Sequence, residues 1–255
     1  MRRAIRAEWA KAWSDPATPW LLAALVVLTV AVSDVTIGTA RCPVAACGQD
    51  PARLGLAGVY LGQAVAALAG VLALGGEYAT GMIHVTLTAI PRRRRLLAAK
   101  ALVLAGPVLV ASAFALGAAM LAGVIVLPGH GFTAGHGYDL ASWAMARAWC
   151  CATVYLTLVA VLGLGVAAAV RDSTVATGMV LGLLYLFPIA AMAIGDQAVA
   201  RRLDQIGPMS AGLDGQTTID LHGLPLTPWA GLGVVALWAA GAIATGGVLL
   251  WLRDA

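Results

Sequence analysis

Six apolar stretches recur along the chain, each close to or beyond the roughly 20 residues that cross a hydrocarbon core. They run from about Pro19 to Ile37, Leu54 to Gly75, Leu96 to Leu127, Trp143 to Val170, Thr174 to Ile194 and Pro228 to Leu252. Lipid offers no partner to a bare peptide group, so each stretch must satisfy its own backbone and is expected to be a helix. The expected fold class is an all-α polytopic membrane protein of six transmembrane helices in a single transmembrane domain spanning residues 1–255. With 61% hydrophobic and 11% charged residues and a mean hydropathy of +0.88, a water-soluble domain is excluded. The third stretch is unusually long and carries Pro107, which is expected to kink it or mark a change of tilt.

Charge sets the expected orientation. With a cytoplasmic N-terminus, the inner segments hold Arg2, Arg3, Arg6, Lys11, Arg92, Arg93, Arg94, Arg95, Lys100, Arg171 and Arg253, and the outer ones Arg41, Arg53, Arg147, Arg201 and Arg202. Eleven of the sixteen basic residues then lie inside, as the positive-inside rule requires. Both termini are expected to be cytoplasmic, in a multi-pass protein of the cytoplasmic (inner) membrane. The pI of 9.1 reflects this one-sided distribution and does not point to nucleic acid. The first apolar run has no small-residue cleavage site after it and reads as a retained span.

Cys42 and Cys47 fall in the first outer loop, RCPVAACG, with Pro43 favouring a turn between them. They read either as a short-loop disulfide, worth about 2 kcal/mol from loop closure, or as two reduced thiols. Cys150 and Cys151, inside the fourth span, read as small apolar fillers. Ahead of the first span, residues 1–15 place Ile5, Trp9 and Trp13 at i, i+4 and i+8, with Arg2, Arg3, Arg6, Glu8 and Lys11 off that stripe. This is the pattern of a helix lying in the membrane interface; the alternative is a charged flank that only fixes topology.

The largest inner connection, residues 76–91, opens with Glu77, Tyr78, Gly81 and Met82 and ends at Pro91 and four arginines. A carboxylate at a helix end against a membrane is costly unless paired, so Glu77 is expected to have a cationic partner, on another subunit or among Arg92 to Arg95. The arginine run reads as a topology lock and lipid-phosphate anchor, or as a dock for an acidic patch on a soluble subunit.

The amphipathic start, the EYATGMI segment followed by IPRRRRLLAAK, and the closing TPWAGLGVVALWAA and GGVLLWLRDA together resemble the permease subunits of ABC-2 type ABC transporters, particularly their actinobacterial branch. The resemblance covers nearly the whole chain in order and hydropathy, and none of its motifs is a catalytic signature. It implies an N-terminal elbow helix over residues 1–15. It also implies a cytoplasmic coupling helix between spans two and three, seated in a cleft of an ATP-binding subunit, with Glu77, Tyr78, Gly81 and Met82 as the contacts. Re-entrant helices are implied in the extracellular loop of residues 195–227. The implied assembly has two membrane subunits and two copies of a separate ABC ATP-binding subunit, which holds ATP and Mg; the chain itself is expected to hold no cofactor.

No Gly-x-x-x-x-Gly-Lys-Ser/Thr loop is present, so the expected energy source is another polypeptide and the chain is not expected to be an enzyme. One six-span chain is half of such a membrane domain, and a homodimer is the simplest completion. Thr174, Gly178 and Gly182 form a small-residue ribbon on the fifth span, serving either a dimer interface or packing within the protomer. His130 and His136 read as solvent-exposed loop residues and not as a metal site. Tyr155, Tyr185, Phe187 and Met192 are candidates for lining an apolar substrate path, with packing or lipid contact as the alternative. The scarcity of charge within the spans argues against an ion-coupled carrier. The expected function is export of a hydrophobic or amphipathic substrate (drug, antibiotic, lipid or peptide), as in multidrug efflux. Two alternatives stand: an ABC-type membrane subunit that passes motion to a partner without transport, and an unrelated six-span scaffold or enzyme.

Overall fold

The computed structural model describes residues 2–41, 49–82, 93–130, 140–219 and 221–253. Among them there is no strand. Ten α-helices follow in order: α1 Arg2–Ser14, α2 Ala17–Thr39, α3 Pro51–Gly55, α4 Val59–Ala79, α5 Arg93–Val126, α6 Trp143–Val170, α7 Ser173–Ala193, α8 Gln197–Ile206, α9 Pro208–Leu213 and α10 Pro228–Arg253. Six of them (α2, α4, α5, α6, α7 and α10) are long and apolar enough to cross a membrane, so the chain is an all-α protein of multi-pass character. The end of the bundle that carries α1 is called the near end below, and the opposite end the far end.

The bundle is built around α6, whose apolar window is two-thirds buried. Small residues let its neighbours approach at backbone distance, as membrane helices do in place of a hydrophobic drive. A Cβ on Gly70 of α4 would lie 1.9 Å from the Ala160 carbonyl oxygen, and one on Gly163 would lie 2.4 Å from that of Ala67. On the other flank, a Cβ on Gly246 of α10 would lie 2.7 Å from the Gly165 carbonyl oxygen. The slab α4–α6–α10 is thus locked by glycine, while α2 packs mainly on α5 and α4. Exposed tryptophans mark both ends of the apolar band: Trp9, Trp13, Trp20 and Trp251 at the near end, Trp143 and Trp229 at the far end.

Several boundaries differ from the sequence expectation. The second span does not begin at Leu54, because Asp50 caps a separate short helix by accepting from the Ala52 N–H at 3.0 Å, with Pro51 in the first turn. The chain then turns where Gly58 passes Thr29 of α2, too close for any Cβ, and donates its N–H to the Ser33 hydroxyl at 2.9 Å. At its other end α4 runs on through Gly75 and Gly76 to Ala79, so Glu77 and Tyr78 belong to the helix. The third span, α5, continues as a helix through Pro107. The stretches from Trp143 to Val170 and from Pro228 to Leu252 match their expected limits at both ends.

The connection between α7 and α10 carries two short helices, of which α8 has no buried residue and α9 is almost wholly buried. Gly212 of α9 lies against the Tyr155 ring, where a Cβ would meet ring carbons at 2.3 Å. Tyr155 is twelve residues into α6, so this connection descends about 18 Å along it at 1.5 Å per residue.

Candidate functional site

The near-end junction of α1, α4 and α5 holds the most heavily buried charge among the described residues. Glu8 and Lys11 lie three apart and share one face of α1, the face opposite the exposed Trp9 and Trp13. Lys100 enters from the second turn of α5, and Glu77 from the last turn of α4. Lys100 Nζ donates to Glu8 Oε2 at 2.7 Å and to Glu77 Oε1, and Lys11 Nζ donates to the same Glu77 oxygen. Glu8, Glu77 and Lys100 are each about 5% exposed, whereas Lys11 keeps partial access to solvent. Charge-assisted bonds of this kind are strong and directional, and they tie three helices that no backbone bond connects. The cationic partner expected for Glu77 is therefore present, and among the described residues it is Lys11 and Lys100. Arg95 is exposed, and the side chains of Arg92, Arg93 and Arg94 lie outside the described residues.

Around this junction the other expected coupling residues separate. Tyr78 is half-buried, with the Arg171 guanidinium 5.9 Å from its ring centroid, a cation–π contact between α4 and the α6–α7 turn. Gly81, at φ +69°, supplies the left-handed turn that ends α4. Met82 is 46% exposed. The rest of the expected coupling helix, residues 83–92, lies outside the described residues, as do Cys42, Cys47 and His136.

A cavity of about 460 Å³ opens beside the junction. Its polar rim is Glu8, Lys11, Asp15, Glu77 and Lys100, and its apolar wall comes from α2, α4 and α5, with Pro107 at the deep end. A second hollow of about 750 Å³, almost entirely apolar, lies between α6, α7 and α10 around Trp238. None of Tyr155, Tyr185, Phe187 and Met192 lines either one. Tyr155 is fully buried and donates to Gln63 Oε1, whose amide in turn donates to Met209 Sδ at 3.2 Å. Tyr185 donates to the Tyr60 carbonyl at 2.7 Å, Phe187 packs edge-on against Trp238, and Met192 is 87% exposed. These residues pack the bundle or face outward.

A second polar cluster sits at the far end and holds the α9–α10 connection. Asp50 accepts from the Thr218 N–H at 2.5 Å, the Thr218 hydroxyl at 2.6 Å and the Ile219 N–H at 3.2 Å. Arg53 donates to the Thr217 hydroxyl at 3.0 Å and lies 3.8 Å from Asp214, and Arg147 donates to the Thr217 carbonyl at 2.7 Å. Burial pushes the Asp214 carboxyl up to about 6, against the pull of Arg53. His130 lies 3.2 Å from the Ile37 carbonyl and is only partly exposed. Among the described residues, no three His, Cys, Asp or Glu side chains gather as a metal site would need.

The ribbon residues Thr174, Gly178 and Gly182 are all exposed, and a Cβ on either glycine would meet nothing within 4 Å.

Sequence reasoning overlooked Glu8, Lys11 and Lys100 as a unit. One signal was available: Lys100 is a lone lysine inside an apolar helix, and an ionisable group there is expensive enough to demand partners. No protein-family model matches the chain, and no curated protein matches it.

Proposed function

We propose that the chain is the membrane permease subunit of an ATP-driven exporter of the ABC-2 type, moving a hydrophobic or amphipathic substrate across the cytoplasmic membrane. ATP and Mg would sit on two copies of a separate ABC ATP-binding subunit, and a second copy of this chain would complete the membrane domain. The observation that carries the reading is the ion-paired junction at the near end. Glu77 closes α4 immediately before the connecting segment, and through Lys11 and Lys100 it is bonded to α1 and α5 as well. A push delivered to that segment by an ATPase would reach three helices at once. In this reading Glu77 transmits force from inside the bundle, and Gly81 and Met82 present the surface that meets the ATPase. The exposed ribbon Thr174, Gly178 and Gly182 supports a two-fold contact between copies, and the descending α8–α9 connection supports a re-entrant element on the outer side.

The test is a complex purified from native membrane and reconstituted with its ATPase. Glu77→Gln keeps the side chain's shape and removes its charge. Transport is expected to fall sharply while the chain still inserts, with ATP hydrolysis no longer responding to substrate. Wild-type transport and wild-type substrate-stimulated hydrolysis in that variant would remove Glu77 from the coupling route.

Orientation is tested by labelling single cysteines in a background where the four native ones are serine. Ala7→Cys and Gln197→Cys are both at exposed positions, on opposite ends. The first is expected to react only from the cytoplasm and the second only from outside; the reverse pattern would invert the topology.

A further inference from the structure

The connection after α7 carries charge below the level of the interfacial tryptophans. Trp238 Nε1 donates to the Ile206 carbonyl at 2.9 Å, and the Phe187 and Trp238 rings lie 6.3 Å apart, so the end of α8 is level with both. Trp238 is nine residues beyond the exposed Trp229, about 14 Å deeper along α10 at 1.5 Å per residue. Phe187 is six residues short of the end of α7, so α8 descends about 9 Å from that end. Arg201 and Arg202 stand halfway down. Both are exposed, and neither makes an ion pair among the described residues. A guanidinium at such a depth is expensive unless it reaches an anion or water.

Below α8 lies the 750 Å³ hollow between α6, α7 and α10. Val166, Met179, Leu183, Val234 and Leu237 are among its walls, and Gln205 and Ile206 of α8 belong to its rim. Met179 and Leu237 are exposed, so the hollow opens to the surroundings of the bundle. Arg202 precedes Gln205 and Ile206 by three and four residues, which puts it on their side of α8, flanked by the exposed Val199 and Ile206. The two acids of this stretch are directed elsewhere. Asp204 falls on the opposite side of the helix and is half-buried, and Asp196 caps α8 by accepting from the Ala198 N–H at 2.8 Å. Along α10 the hollow runs from Val234 to Thr245, about 16 Å at 1.5 Å per residue. Half of a hydrocarbon core is about 15 Å, the depth that one acyl chain fills.

We infer that the hollow and Arg202 together form a binding site for one anionic phospholipid, its phosphate paired with Arg202 and one acyl chain lying along α6 between α7 and α10. Guanidinium and phosphate match as a bidentate, charge-assisted pair. Arg201 beside it adds a second positive charge, which favours a head with no cation of its own. The head supplies the anion that Arg202 lacks, and the chain covers the apolar walls. The inference stands apart from the transport reading, because binding is a property of this chain alone.

Gly241 provides the means to test it. It lines the hollow, it is exposed, and a Cβ there would meet no atom within 4 Å. Gly241→Leu therefore grows into the hollow without displacing the fold, and it replaces a poor helix former with a good one. The purified chain in nonionic detergent is titrated with dioleoylphosphatidylglycerol, and bound copies are resolved by native mass spectrometry. Dioleoylphosphatidylcholine, with the same tails, reads the contribution of the head. One phosphatidylglycerol per chain is expected to bind about ten-fold more tightly than phosphatidylcholine. Arg202→Gln should lower that affinity to the phosphatidylcholine level. Gly241→Leu should remove the tightly held copy at an unfolding temperature equal to or above wild type. Arg2→Gln with Arg6→Gln, at exposed positions of α1, should leave it in place.

Equal affinity for the two lipids overturns the inference, since the head would then go unread. Undiminished binding to Arg202→Gln, or to folded Gly241→Leu, overturns it by placing the lipid elsewhere. Loss of the tight copy in the α1 variant alone moves it to that helix. Dissociation of a dimer by Gly241→Leu, with phosphatidylglycerol still held, gives the hollow to a second copy of the chain and overturns the inference as well. Failure of ATPase coupling in the separate transport assay would leave this binding result untouched.

Discussion

The near-end junction and the far-end cluster are both polar and both hold helices together, yet they are made differently. At the near end, four charged side chains bond almost only to one another, and three of them are buried. At the far end, Asp50, Arg53 and Arg147 bond chiefly to the backbone and hydroxyls of Thr217 and Thr218. The first arrangement fixes helices relative to each other through groups that cannot be left singly charged in a dry site. The second fixes a connecting segment through neutral partners, and water can replace each lost bond more readily. The near end is thus all-or-none, while the far end is graded.

The largest expected effect tests that contrast at once. Lys100→Met removes the cation shared by Glu8 and Glu77 and leaves two buried carboxylates with one partly exposed lysine between them. A loss of about 3–5 kcal/mol is expected, the usual cost of breaking a buried pair from one side, read as the thermal unfolding shift of the purified chain. Replacing all four charges by apolar residues of similar size should cost much less, because no charge is left unpaired. A quadruple variant no more stable than Lys100→Met would show that the junction is held by shape and not by charge.

Asp50→Ala should come next. It removes the cap of α3 and three bonds to Thr218 and Ile219. About 1–2 kcal/mol is expected. Faster proteolysis within residues 214–227 and no change at the near end would accompany it. A cost exceeding that of Lys100→Met would reverse the ranking of the two ends.

The smallest effect is a pH dependence. The Asp214 carboxyl titrates near 6 in the folded chain, above its usual 3.8, because burial outweighs Arg53, and Asp204 adds to the rise. The folded state therefore holds this proton more tightly than the unfolded one, and stability falls as pH rises from about 4 to about 6. Asp214→Asn cannot lose a proton and should abolish that part of the slope. An unaltered slope in the variant would assign the dependence to other groups.

The spans were legible because their signal is local: a run of apolar residues long enough to cross lipid needs no knowledge of its neighbours. The near-end junction was not, since Glu8 and Lys100 are 92 positions apart and Glu77 and Lys11 are 66 apart. Charge counting placed Lys100 with the arginines before it and Arg147 with the outer loop, whereas both are buried within helices. The stripe of Ile5, Trp9 and Trp13 says nothing of where Glu8 points: Trp9 and Trp13 are exposed, while Glu8 is buried against the bundle. Gly58, near the start of the second expected span, is where α2 and α4 touch, and only the neighbouring Thr29 carbonyl reveals why the chain must bend there.

The turn between α6 and α7 has a mechanical consequence. It consists of Arg171 and Asp172 alone, the first in the left-handed conformation and the second capping α7 through the Val175 N–H at 2.8 Å. So short a link clamps one end of α7 to the glycine-locked slab, and Tyr185, just past the middle of its 21 residues, fixes it again by donating to the Tyr60 carbonyl at 2.7 Å. With α9 buried beyond its other end, the helix is a beam held along its length, so a displacement at the turn would have to carry α4 with it.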